Sequence, residues 1–470
     1  MSSSDTKKQK VFEPPSETFC VLPWIHLSTR PNGHMRLCCT ANASSAGATN
    51  DKEFGGEVGV LKQDDGKPAN LNKTDLLSAW NNRFMKNVRL QMLRGEKPSS
   101  CLKCFKEEDA GYKSKRNWET AYWAERIDVD ELLSRTDSAG AVPAQIAYVD
   151  LRLGTKCNLK CVMCSPHDSS LWVSDWNKIY PQVQNQSLKE TMAWENKGKV
   201  NGASYSWHID NPLFWNQLYD QLPNMRQLYF AGGEPLIIDE HYEILEQCIK
   251  RGYAKNIELR YNSNGQVLPE KLFELWSHFQ KVRFNFSIDS LEDQNHYIRY
   301  PTDWKTTLDH LWLLDSTPNN VEVFIACAVQ ALNIHDLPEM IDWKLDQGFR
   351  KINPWPFGGG LIGFHFVYHP PHLNVKVLPR ELKEKIRQKY EGYYPRLEKY
   401  YGNAARAQTP YAIPRLKAII RFMESEDWSN RWPEFVEYFS ILDKARGTSI
   451  KRTFPWLSPY FSHQDQSQEL

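Results

Sequence analysis

Apolar positions recur along this chain in two rhythms, and the switching between them predicts its architecture. Short apolar runs at Ile146–Leu153, Gln227–Ala231, Ile257–Tyr261, Val282–Ile288 and Val321–Val329 predict strands. A sixth lies within Lys351–Tyr368, where the Gly358-Gly-Gly360 break leaves its position open. Between these runs the spacing lengthens to helical patterns, as in His241–Lys250 and Leu337–Gln347. Strand and helix in repeated alternation predict an α/β fold whose parallel sheet carries its site at the C-terminal ends of the strands.

The chain before Ile146 is patterned differently. Trp80, Phe84, Val88 and Met92 recur every four residues and predict one stripe of a helix that Gly95 ends. Asn32-Gly33 is a hairpin turn signal, which would put Cys20 and Cys38 on neighbouring strands. Asp128 to Pro143, rich in Asp, Ser, Gly and Ala, reads as a linker. Ser165 to Pro223 is a long insertion holding Trp172, Trp176, Trp194, Trp207 and Trp215; extra packing is favoured over a lid or substrate wall. The expected organisation is a disordered tail over residues 1–11, an N-terminal module over 12–127, an α/β domain over 144–369 and a mainly helical region over 370–470.

Composition narrows the class. The 470 residues allow two or three domains. Lys and Arg total 58 against 57 Asp and Glu, so the net charge of +1 points to neither nucleic acid nor membrane. From His372 to Arg452 the balance is 17 basic to 10 acidic, which is read as a solvated helical surface and not a nucleic-acid face. The run Lys383, Lys385, Arg387 and Lys389 alternates with Glu and is expected to be exposed. No apolar run approaches the ~18 residues of a membrane span. Met1 to Lys10 has no apolar segment behind its charges and is not read as a signal peptide. Ten cysteines, most in tight spacings, suit a reducing cytoplasm where thiols stay free for metal.

The chemistry centres on Cys157, Cys161 and Cys164, directly after the first of those strands. Three thiolates satisfy three irons of a cubane 4Fe-4S cluster and leave the fourth open; a buried or zinc-binding cysteine loop is the alternative. Gly232-Gly233-Glu234-Pro235 follows the next strand, with glycines for close backbone approach and a carboxylate suited to an ammonium group. Asn262-Ser263-Asn264-Gly265 ends the third strand, as part of a site or as an ordinary polar turn. Ser287 and Asp289 end the fourth, and Arg299, twelve residues beyond Ser287, suits a carboxylate acceptor. Asp289 reads either as a ribose contact or as a helix cap. Cys248 and Cys327 stand alone on apolar patterns and read as core thiols.

A Cys-x3-Cys-x2-Cys loop after a first strand, with Gly-Gly-Glu-Pro after the second, resembles the radical S-adenosylmethionine (SAM) enzyme superfamily. The resemblance implies a partial (β/α)6 TIM-like barrel. It also implies a 4Fe-4S cluster on Cys157, Cys161 and Cys164 whose open iron chelates the amino and carboxylate groups of SAM. An electron from a flavodoxin- or ferredoxin-type donor would then cleave SAM to a 5′-deoxyadenosyl radical. Met163 fills a position where the family usually carries a large apolar or aromatic residue. Gly232, Gly233, Glu234 and Pro235 would hold the amino group, Ser287 and Arg299 the carboxylate, with Asn262 and Asp289 as further SAM contacts.

Cys20, Cys38, Cys101 and Cys104, with Gly33 five residues before Cys38 and Cys39 as a spare, resemble the twitch module, the short form of the SPASM domain, which holds an auxiliary iron–sulfur cluster. Here that module precedes the barrel instead of following it, as in N-terminal-twitch radical SAM proteins. Zinc is the alternative occupant of those four thiols. The implied reaction is hydrogen abstraction from a peptide or protein. Dehydrogenation or epimerisation of a small molecule, nucleic-acid modification, and a non-enzymatic iron–sulfur or zinc scaffold are the alternatives.

Overall fold

The apolar runs become strands, and the fold is α/β with a mostly parallel eight-stranded sheet. In this computed structural model residues 12–41, 59–109, 113–196, 205–352, 362–401 and 412–461 are described. The strands are β1 (His26–Thr29), β2 (Met35–Arg36), β3 (Tyr148–Leu151), β4 (Gln227–Phe230), β5 (Glu258–Ser263), β6 (Lys281–Ser287), β7 (Val321–Val329) and β8 (Gly363–Phe366). The sixth anticipated strand is therefore β8, at Gly363–Phe366, and the Gly358–Gly360 break lies outside the described residues. Two units divide the chain. One comprises Met1–Arg30, His34–Asp150 and Asn211–Arg226; the other comprises Pro31–Gly33, Leu151–Asp210 and Gln227–Leu470.

In the larger unit β4 to β8 pair in parallel, in sequence order, with Phe230 opposite Tyr261, Ser263 opposite Phe286 and Ser287 opposite Ala326. Along β7 buried and half-buried residues alternate without a break, so one face of that strand is fully packed. Phe230, Tyr261, Trp276 and Phe284 form an aromatic chain with centroids 5.4 to 6.0 Å apart. Helix Asp239–Lys250 has acids in its first turn and a lysine in its last, which complements its dipole. It buries Ile244, Leu245 and Cys248. Cys248 and Cys327 are fully buried, as expected of core thiols.

The residues from Arg380 onward belong to this same unit, as helices Arg380–Tyr401, Ala412–Glu424 and Trp432–Arg446. The expected exposed basic run is only partly so: Lys385 is exposed, but Lys383 is buried and paired with Asp427, and Lys389 pairs with Asp336 and Glu339. Acids elsewhere in the fold draw these lysines in, which their spacing with neighbouring glutamates could not show. Trp172, Trp176 and Trp207 are buried in the larger unit and Trp215 in the smaller, in keeping with packing; the Trp194 side chain lies outside the described residues.

In the smaller unit β1 and β2 form an antiparallel hairpin and β1 pairs in parallel with β3. The single predicted helix is two: Leu76–Trp80 ends, Asn82 caps a new start, and Arg83–Leu93 follows. Gly95 ends it at φ 76° with the Glu96 N–H donating back to Gln91 O at 2.9 Å. Arg89 is fully buried and donates to Pro23 O, Trp80 O, Asn81 Oδ1 and Gly140 O. Burial lowers its pKa to about 9. Residues 128 to 143 are no loose linker. Helix Val129–Ser134 buries Val129 and Leu132, and Val142 O accepts from Trp80 Nε1 and Asn81 Nδ2. Small polar residues made the segment look like a loop, while Val129, Leu132 and Val142 anchor it. Among the described residues no helix is long and apolar enough to cross a membrane.

Candidate functional site

The cysteine loop after β3 has its backbone pinned from several sides. Lys160 N–H donates to Tyr300 O at 2.7 Å and Val162 N–H to Ile298 O at 2.8 Å. Trp172 Nε1 donates to Cys161 O at 2.9 Å, and Ser169 Oγ to Leu159 O at 2.6 Å. The three thiols sense one another. The neighbouring Cys164 thiol pulls Cys161 below the ordinary thiol range, helped by the Arg299 charge, while Cys161 pushes Cys164 up. Burial, with Cys161 nearby, pushes Cys157 up to about 12. Thiols this close cannot all ionise unaided, and a shared cation would let them do so.

Glu234, 1% exposed, stands against this loop. Its own N–H donates to Lys156 O at 2.9 Å, and its carboxylate accepts from Ser263 Oγ at 2.8 Å and Asn264 N–H at 2.8 Å. Burial pushes its carboxyl up to about 7 despite those hydrogen bonds. Asn264 Nδ2 in turn donates to Asn158 Oδ1 at 2.7 Å, inside the cysteine loop. Gly233, at φ 51°, is required here: a Cβ would lie 2.4 Å from Lys156 O.

Asp289 and Arg299 form a buried ion pair at 2.8 Å, and the same guanidinium reaches Cys161 Sγ at 3.9 Å. Burial opposes the Arg299 charge, but Asp289 and the thiols more than offset that, so its pKa lies above the ordinary value. Asp289 is the buried partner of Arg299, and its carboxylate caps no helix: Leu291 holds the N-terminal position of the helix that follows. Ser287 is half-buried at the end of β6. Asn262 is not in this group. Its exposed side chain bonds Tyr229 and Asn285, because successive strand residues face opposite ways. Ser263 and Asn264 join the group without having been singled out in the sequence, and their only signal was their place in the turn that follows Asn262.

In the smaller unit Cys20, Cys38, Cys101 and Cys104 line one cavity of about 20 Å³, walled by Leu22, Pro23, Leu37 and Met92. Cys20 and Cys38 are not on neighbouring strands: Cys20 precedes helix Leu22–Ile25 and Cys38 lies two residues past β2, so the hairpin brings their flanks together. Burial raises Cys38 to about 11 and Cys101 well above its usual range, each pushed further by other thiols. Cys39 does not line the cavity. Among the described residues no three His, Cys, Asp or Glu side chains gather as the ligands of a single metal ion. A cubane cluster spreads its ligands more widely, one thiolate to each iron.

A second cavity of about 500 Å³ in the larger unit is bordered by Lys156, Tyr205 and His208, whose Nδ1 lies 3.2 Å from Glu240 Oε1 and whose pKa burial lowers. No spacing in the sequence announced it, since its residues come from separate turns.

Residues 151–343 match the family model of the Radical SAM superfamily. Solved structures similar to this chain include Streptococcus suis SuiB, 13% identical over 56% of this chain and 52% of that one, with a TM-score of 0.28. SuiB bound to S-adenosylmethionine is 12% identical over 67% and 62% (TM-score 0.31), and TYW1 with a lysine–pyruvate adduct is 14% identical over 41% and 58% (TM-score 0.23). The chain therefore spans about half to six-tenths of the length of these structures. No curated protein matches it.

Proposed function

We propose, for a chain that carries a Radical SAM superfamily domain over residues 151–343, that Cys157, Cys161 and Cys164 hold a 4Fe-4S cluster at which SAM is bound and cleaved. When bound, the cluster supplies the electron that converts SAM to a hydrogen-abstracting 5′-deoxyadenosyl radical. One observation carries the reading. The buried Glu234 carboxyl acts on Cys157, its own N–H bonds Lys156 O beside the loop, and the Arg299 guanidinium reaches Cys161, an acid and a cation matched to the two ends of an amino acid. Glu234, held by Ser263 and Asn264, takes the ammonium end, where Gly232 and Gly233 let the backbone approach and Pro235 fixes the turn. Arg299 and Ser287 take the carboxylate, and Asp289 pairs with the guanidinium. Strands β3 to β8 form the partial barrel of this reading, with a flavodoxin- or ferredoxin-type protein as electron donor.

Cys20, Cys38, Cys101 and Cys104 hold a second iron–sulfur cluster in the same proposal, supported by four thiols on one cavity. The substrate class is a peptide or protein side chain, resting on the resemblance of that module to those of peptide-modifying radical enzymes. Anaerobic reconstitution, reduction and addition of SAM should release 5′-deoxyadenosine. Changing Cys157, Cys161 and Cys164 together to Ala should abolish the release; undiminished release from that variant would overturn the assignment.

A further inference from the structure

Helix Trp432–Arg446 lies nearly three hundred residues from the cysteine loop in sequence, yet its last residue touches the loop. Arg446, its side chain 2% exposed, pairs with Asp175 at 2.8 Å, and its other nitrogen donates to Lys160 O at 2.8 Å. The guanidinium also contacts two rings, 4.4 Å from the centroid of Trp172 and 4.9 Å from that of Tyr300. Those contacts are parts of one structure. Trp172 holds Cys161 O, Tyr300 O holds Lys160 N–H, and Asp175 also accepts from Lys160 Nζ at 2.7 Å. The helix end is itself clipped down: Tyr297 OH donates to Asp443 Oδ1 at 2.8 Å, and Gly447 closes the helix at φ 69°.

Charge adds a second argument. Near Cys161 the Arg299–Asp289 pair is neutral, whereas Lys160, Asp175 and Arg446 set two cations around one carboxylate. Within that triad one positive charge is left over on the Cys161 side of the loop, while the Asp168 carboxylate, held on Ser165, acts on Cys164 instead. Burying that surplus charge is costly unless something negative is held nearby, and a cluster bearing thiolates on that loop would supply the negative charge.

We propose that Arg446 is a positioning residue that locks the cysteine loop from the C-terminal helix, and that its surplus charge makes the bound cluster easier to reduce. The second half rests on the three-thiol cluster proposed above; the first does not.

The test uses the full chain as wild type, Arg446→Met, Arg446→Lys and Asp175→Asn/Arg446→Met. Hydrogen exchange on metal-free protein reads the lock, and an EPR-monitored redox titration of reconstituted protein reads the charge. In Arg446→Met the Lys160 and Val162 amides should exchange at least tenfold faster while β7 amides stay protected. The reduction equilibrium should fall about tenfold, or about 59 mV for one electron. The double variant leaves Lys160 as the surplus cation, so the potential should recover while the amides stay unprotected; Arg446→Lys should likewise keep the potential. Wild-type protection of both amides in Arg446→Met, or in the double variant if the single one unfolds, would overturn the lock. An unchanged potential in Arg446→Met, or one that neither charge-preserving variant restores, would overturn the charge effect. A wild type that takes up no cluster would overturn the underlying cluster reading and the charge effect with it, while the exchange result would still decide the lock.

Discussion

The two cysteine groups use one side chain in opposite surroundings. Around Cys20, Cys38, Cys101 and Cys104 the cavity wall includes Leu22, Pro23, Leu37 and Met92. Around Cys157, Cys161 and Cys164 stand Glu234, Arg299 and Asp289, all buried or nearly so. Four sulfur donors in a largely apolar wall, with Lys115 and Arg116 as its cations and no acid lining it, suit a centre whose ligation is complete. Three donors beside a buried acid and a buried base suit a centre with one position left for a zwitterion. On the function proposed above, the surroundings, more than the thiols, would separate a redox or structural centre from a reactive one.

The largest expected effect tests whether the groups are independent centres. Protein lacking Cys157, Cys161 and Cys164 should keep about half of the iron and sulfide, from one remaining cluster of two. Stoichiometric zinc without sulfide after anaerobic reconstitution would make the four-thiol group a structural metal site. A smaller effect tests the polar surroundings of the three-thiol group. Arg299→Ala should weaken SAM binding about ten- to a hundredfold, since a charge-assisted contact contributes about 1.5–3 kcal/mol. Asp289→Asn in the same protein removes the carboxylate that Arg299→Ala would leave buried and unpaired. Titration calorimetry on cluster-loaded protein showing wild-type affinity in both would return Arg299 to a structural role.

The smallest effect concerns something the two units share. Each buries an imidazole among aromatics: His26 lies 4.0 Å from Tyr148 in one, His241 4.7 Å from Phe230 in the other. Burial lowers them to about 4 and about 3. Below about 6.5 the unfolded chain takes up protons that the folded chain refuses. Stability therefore falls as pH drops from 6.5 towards 4, by at most about 1.4 kcal/mol per pH unit for each histidine. Urea unfolding of wild type, His26→Phe and His241→Phe at pH 6.5 and 5.5 measures this; equal losses in all three would mean neither histidine is buried neutral.

Local spacing was enough for much of the site. Cys157, Cys161, Cys164 and the Gly232–Pro235 turn are contiguous or nearly so, and each follows a strand that its apolar run announces. The strands β3 to β7 were legible for the same reason: side-chain alternation is a property of neighbouring residues. Asn262 and Ser263 show what spacing leaves open. A turn can be recognised from its residues, but which of them faces the site depends on strand register, and a shift of one position reverses the face.

By itself, then, the sequence determined the strand-and-helix order of the larger unit, the two groups of thiols and the acid and base that accompany one of them. Those are written in spacings of a few residues. Tertiary structure alone decided that Cys38 and not Cys39 lines the four-thiol cavity, that Asp289 serves Arg299, that Ser263 and Asn264 hold Glu234, and that Arg446 reaches Lys160 O. These depend on how a side chain is oriented after packing, or join positions as much as 286 residues apart. Such a contact leaves no local periodicity, because neither partner constrains the residues beside the other until the chain has folded.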